Sequence, residues 1–269
     1  MTKTDKKAIF LDIDGTLSQR EAAPCAEDVA ALRAARAAGH YVFINTGRAR
    51  GMLPPVLVGV DYLDGYLCGC GTTLILDDKV VFTAEVPRPL LREAIAFYQK
   101  SPVNRCLFEA EDGVYMLAND PARKIWTRAK LIRSPEDFET VYSDTHVTKL
   151  TVFGGMTPEE ETLFAGRLEP ILQSSGEWYE AILPGGGKGR GVAKVCERLG
   201  IPLENSIAVG DSDNDLDMFQ WAGTAVAMEE SSPTAVAAAD WMTGRCGEGG
   251  VARAVNALVF GKGTLKKLK

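Results

Sequence analysis

Runs of four or five consecutive apolar residues alternate with longer stretches of helical spacing along this chain. Ala8–Asp12 reads as a buried strand that ends in an acid. Asp28 to Ala38 follows as a helix rich in Ala and Arg, closed by Gly39. Tyr41–Asn45 is the next strand. Arg48 to Leu53 starts a helix that Pro54 and Pro55 stop. Gly65–Leu67 and Thr72–Leu76 read as strands, and Asp77-Asp78 turns the chain into Val80–Thr83. The same style returns later, with a helix over Gly189–Leu199, a strand at Ser206–Val209, a helix over Asp213–Gln220 and a strand at Thr224–Met228. Lys262 to Lys269 reads as a frayed basic tail. Continuous apolar strands separated by helices predict an α/β fold, a parallel sheet with helices on both faces.

The middle of the chain differs. Leu90–Lys100 is helical, and Cys106–Glu109 and Val114–Leu117 flank Asp112-Gly113, a hairpin signal. Val147–Phe153 and Trp178–Leu183 are strands. Thr157 and Glu160 form a capping box that opens a helix to about Leu168. Strand pairs joined by hairpins predict an α+β module over residues 85–185, inserted into a core made of residues 1–84 and 186–269.

Composition narrows the function classes. The 269 residues are 46% hydrophobic and 25% charged, an ordinary globular balance that excludes collagen, coiled coil and wholesale disorder. Thirty basic against 36 acidic residues give a net charge of −6, which argues against a nucleic-acid binder. The longest uncharged run, Gly65 to Leu76, is twelve residues, too short for a membrane helix of about 20. Met1 to Lys7 is polar, and Asp12 and Asp14 interrupt the first apolar run, so a cytoplasmic protein without a signal peptide is expected. Of six cysteines only Cys68 and Cys70 are close, and there are two histidines, a poor inventory for structural zinc. Reduced thiols packed as small hydrophobes are the expectation.

Three strands end alike. The first ends at Asp12, the second runs into Thr46, and Ser206–Gly210 runs into Asp211. Ligands of open parallel sheets bind beyond the carboxyl ends of the strands, so these groups should meet at one rim. Two acids at 12 and 14 repel unless one is protonated or a cation lies between them. Gly15 lets the chain turn there. Asp211, Asp213, Asp215 and Asp217 place four acids in seven residues. An EF-hand loop from Asp211 would need Gly at position 216 and Glu at position 222, where the chain has Leu216 and Ala222. A helix start explains Asp213 and Asp217, not all four acids. A mixed shell of carboxylates and water suits Mg²⁺. The run Gly185–Gly191 looks like a phosphate loop, but a Walker A pattern would need Gly at 182 and Ser or Thr at 189, where Ile182 and Gly189 stand. Lys188 opening a helix still offers a point charge for a phosphate, beside backbone donors. The parts together describe phosphoryl transfer, which a carboxylate nucleophile can divide through an aspartyl-phosphate.

These residues resemble the haloacid dehalogenase (HAD) superfamily of phosphotransferases. Asp12-Ile-Asp14-Gly15-Thr16-Leu17 matches its first motif, Thr46 in Asn-Thr-Gly-Arg its second, Lys188 its third, and Gly210-Asp211-Ser-Asp-Asn214-Asp215 its fourth. The insert between the second and third motifs resembles the C2 cap of the Cof-type, subclass IIB, sugar-phosphatase-like branch. The resemblance implies a Rossmann-like core and an inserted α+β cap that closes over the site. It also implies a phosphoric monoester hydrolase acting on a small phosphorylated metabolite, such as a sugar phosphate. Asp12 would be the nucleophile, and Asp14 would protonate the leaving oxygen and then activate water. Thr46, Gly47 and Lys188 would hold phosphoryl oxygens, and Asn214 would position the lysine or an oxygen. Mg²⁺ would be bound by the Asp12 carboxylate, the Asp14 carbonyl and Asp211, with Asp215 supporting. A mutase or phosphotransferase of the phosphomannomutase type is the alternative, and a metabolite-binding protein without catalysis the remote one.

One departure concerns substrate. Relatives of this branch commonly carry Asn-Gly after the third strand, and this chain has Cys70-Gly71. No basic residue near Cys70 in sequence supports a catalytic thiol. His40 and His146 read as packed or surface residues. Trp126, Trp178, Arg123, Lys124 and Arg128 are candidates to line the cap, and Arg48 to stay near the phosphate. The oligomeric state is not legible in the sequence.

Overall fold

The computed structural model describes residues 6–101, 105–118, 129–173 and 175–269. The chain divides into two compact units. One comprises the chain up to Gly47, Leu53–Val81 and Gly187–Lys269; the other comprises Arg48–Met52 and Phe82–Gly186. The elements run β1 (Ala8–Leu11), α1 (Ala26–Ala37), β2 (Tyr41–Asn45), β3 (Gly65–Cys68), β4 (Thr73–Leu76) and β5 (Lys79–Thr83). Then come α2 (Arg88–Gln99), β6 (Cys106–Ala110), β7 (Gly113–Leu117), β8 (Lys130–Ile132), α3 (Pro135–Val141), β9 (Val147–Phe153), α4 (Pro158–Phe164), β10 (Glu169–Leu172) and β11 (Trp178–Ile182). The last are α5 (Lys188–Leu199), β12 (Ser206–Gly210), α6 (Leu216–Trp221), β13 (Thr224–Ala227), α7 (Pro233–Ala238), β14 (Trp241–Met242), α8 (Gly250–Phe260) and β15 (Lys266–Lys267).

The first unit is built on a sheet ordered β15-β14-β13-β12-β1-β2-β3-β4-β5. From β14 to β3 neighbouring strands are parallel, and the pairs β14–β15 and β3–β4 are antiparallel. The central strand β1 shows why both faces are covered. Ile9 and Leu11 pack with Leu32 of α1 and Val251 of α8, while Ala8 and Phe10 pack with Val192 of α5 and Met218 of α6. A strand buried on both sides must be apolar at every position, as Ala8–Leu11 is. The register sets Leu11 beside both Val209 and Ile44, so β1, β2 and β12 leave the sheet at one rim.

The second unit carries a sheet ordered β10-β11-β9-β6-β7-β8, antiparallel except for β7–β8. Helices α2, α3 and α4 cover one face, where Leu91, Phe138 and Phe164 meet Phe108, Tyr115 and Tyr179. The other face mixes Leu107, Val114 and Met116, against which Met52 packs, with a buried ion cluster. There Lys149 bonds Glu180 and lies 3.2 Å from Glu109.

Several expectations are corrected. Arg48–Leu53 is no α-helix: one 3₁₀ turn spans Arg50–Met52 and a second Pro55–Leu57, because the proline pair leaves no room for a longer run. The helix after Thr157 stops at Phe164, and Glu169–Leu172 turns into the edge strand β10. The acidic stretch from Asp213 starts as a 3₁₀ turn before α6. The basic end is not wholly frayed, since Lys266 and Lys267 pair with Met242 and Trp241. Trp126, Arg123, Lys124 and Arg128 lie outside the described residues.

One buried carboxylate joins the ends of the first unit. Asp28 is fully buried in α1, and its Oδ1 accepts the Ala252 amide of α8 at 2.6 Å while Cys25 Sγ donates to Oδ2. Asp28→Ala leaves that amide of the first turn of α8 unpaired, so urea unfolding should show a loss of about 1–3 kcal/mol. Asp28→Asn keeps an acceptor oxygen and should lose less; equal losses for the two variants would contradict this role.

Candidate active site

The rim of the first sheet gathers the expected residues. Asp12 follows β1 directly, with its amide donated to Val209 O of β12. Thr46 follows β2, and its amide donates to Leu67 O of β3. Lys188 opens α5, and Asp211 follows β12. Lys188 is 2% exposed, and its Nζ donates to Asp12 Oδ1 at 2.6 Å, Asp215 Oδ1 at 2.7 Å and Asn214 Oδ1 at 3.2 Å. A buried ammonium is tolerated only when paired and hydrogen-bonded. Here burial works against its charge, but Asp12 and Asp215 outweigh that and hold Lys188 above the ordinary lysine range.

The acids form a tight group. Asp12, Asp211 and Asp215 each offer an oxygen, and these oxygens lie within 4.8 Å of one another. Burial, with the charges of Asp215 and Asp211, pushes Asp12 up to about 7 despite Lys188. Burial and Asp215 push Asp211 up to about 6, and Asp14 adds to that push. Three carboxylates against one ammonium leave two negative charges, which a divalent cation neutralises. The donor set is all oxygen, as a hard cation requires. The residues therefore fit a metal of that kind.

Each acid is placed by its surroundings. Asp215 is fully buried, and its Oδ2 accepts the amides of Asp211 and Ser212 at 2.9 and 3.2 Å. Thr16 Oγ1 donates to Asp211 Oδ1 at 2.9 Å. Gly15 has φ +87°, and a Cβ there would stand 2.5 Å from Asp211 Oδ2, so only glycine lets the first loop close on this acid. Asp14 is exposed, next to the buried Asp12.

The end of β2, the turn after β3 and the start of α5 share a frame of backbone bonds. Thr46 O accepts the Cys70 amide at 3.0 Å, and Cys70 O accepts the Gly187 amide at 2.8 Å. Cys70 has φ +56°, a left-handed conformation unusual for a residue with a side chain. Gly47 is buried beside Thr46. Two residues of this frame escaped the sequence reading. Asn45 ends β2, and its Nδ2 donates to Lys188 O at 3.0 Å. Asp217 accepts the Gly189 amide at 2.8 Å, so it does more than favour the start of α6. Asn45 stands in the Asn-Thr-Gly-Arg run and Asp217 in the acidic run, but neither bond has a sequence signal, because each is made to a backbone atom far along the chain. The histidines lie apart from this network: His40 Nδ1 accepts the Lys7 amide, and His146 bonds Glu85.

A family model of haloacid dehalogenase-like hydrolases matches residues 9–255. The chain belongs to this family. The HAD hydrolase is 30% identical to a Bacillus subtilis (strain 168) protein named "Putative phosphatase YkrA", over 94% of this chain and 98% of that one. It is also 30% identical to the 5-amino-6-(5-phospho-D-ribitylamino)uracil phosphatase YcsE of the same organism, over 93% and 95%. Among solved structures it is similar to the HAD subclass IIB sugar phosphatase BT4131, with TM-score 0.76, 27% identity and coverage of 95% and 99%. The HAD fold with its Rossmann-like core and cap is thus shared, and the reaction class is that of a phosphoric monoester hydrolase. No helix among the described residues is long and apolar enough to cross a membrane.

The acid cluster predicts a response to cations that is independent of turnover. Mg²⁺ at about 100 times its Kd should stabilise the protein by about 2.7 kcal/mol, read as a rise in Tm. Asp211→Asn should raise the Tm of the chelated protein, by relieving repulsion, and remove most of the Mg²⁺ response. An undiminished response in the variant would place the cation elsewhere.

Proposed function

We propose that this protein is a Mg²⁺-dependent phosphatase for a small phosphorylated metabolite, working through an aspartyl-phosphate on Asp12. The observation that carries the reading is the bonding of one buried ammonium, Lys188 Nζ, to Asp12, Asn214 and Asp215 at once. That network holds the Asp12 carboxylate by Oδ1 and leaves Oδ2 to attack phosphorus. Thr46 and the Gly47 backbone take phosphoryl oxygens, and Lys188, whose three donors serve Asp12, Asp215 and Asn214, takes one by giving up its longest bond, 3.2 Å to Asn214. Asp14, exposed beside the nucleophile, protonates the leaving oxygen. With the ester oxygen gone, it takes a proton from the water that attacks the aspartyl-phosphate, a general acid and base in turn. The cation, held by the Asp12 and Asp211 carboxylates and the Asp14 carbonyl, would neutralise charge on the transferring group. Asp215 spends one oxygen on Lys188 and the other on the Asp211 and Ser212 amides, which suits a supporting role.

The relatives named for their substrates act on different compounds, a phosphoribitylamino-uracil and sugar phosphates, so small phosphorylated metabolites are the class they support. The test is phosphate release from a panel of such metabolites, with Mg²⁺ and with chelator. Mg²⁺-dependent release is expected, and Asp12→Asn should lower kcat on the order of 10⁴-fold or more with the fold intact. Substantial activity in Asp12→Asn would overturn the nucleophile assignment. Rearranged sugar phosphate in place of free phosphate would make the protein a mutase.

A further inference from the structure

Three consecutive residues at the start of α5 are held by three separate elements. The Gly187 amide donates to Cys70 O after β3, the Lys188 carbonyl accepts from Asn45 Nδ2 at the end of β2, and the Gly189 amide donates to Asp217 Oδ2 of α6. We propose that Asn45 and Asp217 are positioning residues that clamp this turn and thereby place Lys188 Nζ between Asp12 and Asp215. For its catalytic consequence the proposal rests on the phosphatase reading; the clamp itself does not.

Asn45 is fully buried at a sheet end where an apolar residue would pack without polar cost. Its Nδ2 reaches Lys188 O at 3.0 Å and Met218 Sδ at 3.3 Å, while its Oδ1 has no hydrogen-bond partner among the described residues. Leaving a buried carbonyl oxygen unmet is unfavourable. The amide orientation is set by the Lys188 carbonyl, since the reverse would place two acceptors together. The residue is therefore used as a donor, and the one backbone acceptor it serves belongs to the lysine.

Asp217 meets the same turn from the other side. Its carboxylate sits at the start of a 12-residue helix, where an anion is favoured by the free amides. The approach is close: a Cβ at Gly187 would stand 2.6 Å from Asp217 Oδ2, and one at Gly189 would collide with Trp221 and Asp217 O. Glycines at 187 and 189 let β2 and α6 grip the backbone on either side of Lys188. A long lysine side chain has many rotamers, and fixing its Cα limits where the ammonium can reach.

Two readouts test this. In hydrogen exchange, Asp217→Ala and Asn45→Ala should each speed exchange of the amides over Gly187–Gly191, with α8 unchanged. Asp217→Asn, which keeps an acceptor oxygen, should restore protection. Unchanged exchange there, or an equal rise throughout the first unit, overturns the clamp. The second readout is the affinity for inorganic phosphate by calorimetry. Asn45→Ala should weaken it about tenfold in the wild-type background and less than about twofold in a Lys188→Met background, a non-additivity expected of residues that act through one another. Equal losses in both backgrounds overturn the action through Lys188. A wild-type protein that neither binds phosphate nor releases it from any ester defeats the phosphatase reading, and hydrogen exchange then still decides the clamp.

Discussion

The first unit is organised around one buried positive charge. Lys188 Nζ sits among Asp12, Asn214 and Asp215 at hydrogen-bond distance. Removing an ammonium from water costs several kcal/mol unless close partners replace the water. The partners here come from β1 and from the loop after β12, elements far apart in sequence and brought together by parallel register. That requirement explains the tight glycine positions. Gly15 closes the first loop on Asp211, Gly210 leaves room for Asp215, and Gly71 lies against the carbonyl of Gly187. Side chains at these places would push the rim apart.

The same grouping leaves charge to be neutralised. Lys188 is already shared between Asp12 and Asp215, and Asp211 accepts the Thr16 hydroxyl. Its raised titration and that of Asp12 share causes, burial and neighbouring carboxylates. A site that holds anionic side chains together in this way is prepared for a divalent cation and an anionic substrate, whose charges offset each other. Backbone bonds from Thr46 through Cys70 to Gly187 tie the end of β2 to the start of α5 beside these acids.

Much of this was readable in the residues. Strands buried on both faces are continuous apolar runs, so Ala8–Leu11, Tyr41–Asn45 and Ser206–Gly210 stood out, and the polar residues that end them marked the rim. Asp12, Lys188 and Asp211 could be named because chemistry and position agreed. Short elements were not visible: β8, β14 and β15 have two or three residues each, too few for a period to show. The start of α8 lies in a Gly-rich stretch, and an amide of its first turn is met by Asp28 from 224 positions away. Asn45 looked like a strand residue and Asp217 like a helix start, because a side chain's bond to a distant backbone atom leaves no local pattern. The buried Lys149, Glu109 and Glu180 of the second sheet escaped for a related reason, since alternating polar positions suggest a solvated face.

The central claim is that Asp12, held by Lys188, takes the phosphoryl group. The most direct measurement is acid quenching of the enzyme during turnover of a phosphate ester, followed by peptide mapping for a phosphorylated carboxylate. The account predicts an acid-stable, base-labile phosphoryl group on the peptide that contains Asp12, lost in Asp12→Asn. A phosphoryl group on another residue, or phosphate release with no phosphorylated peptide at any quench time, would contradict it.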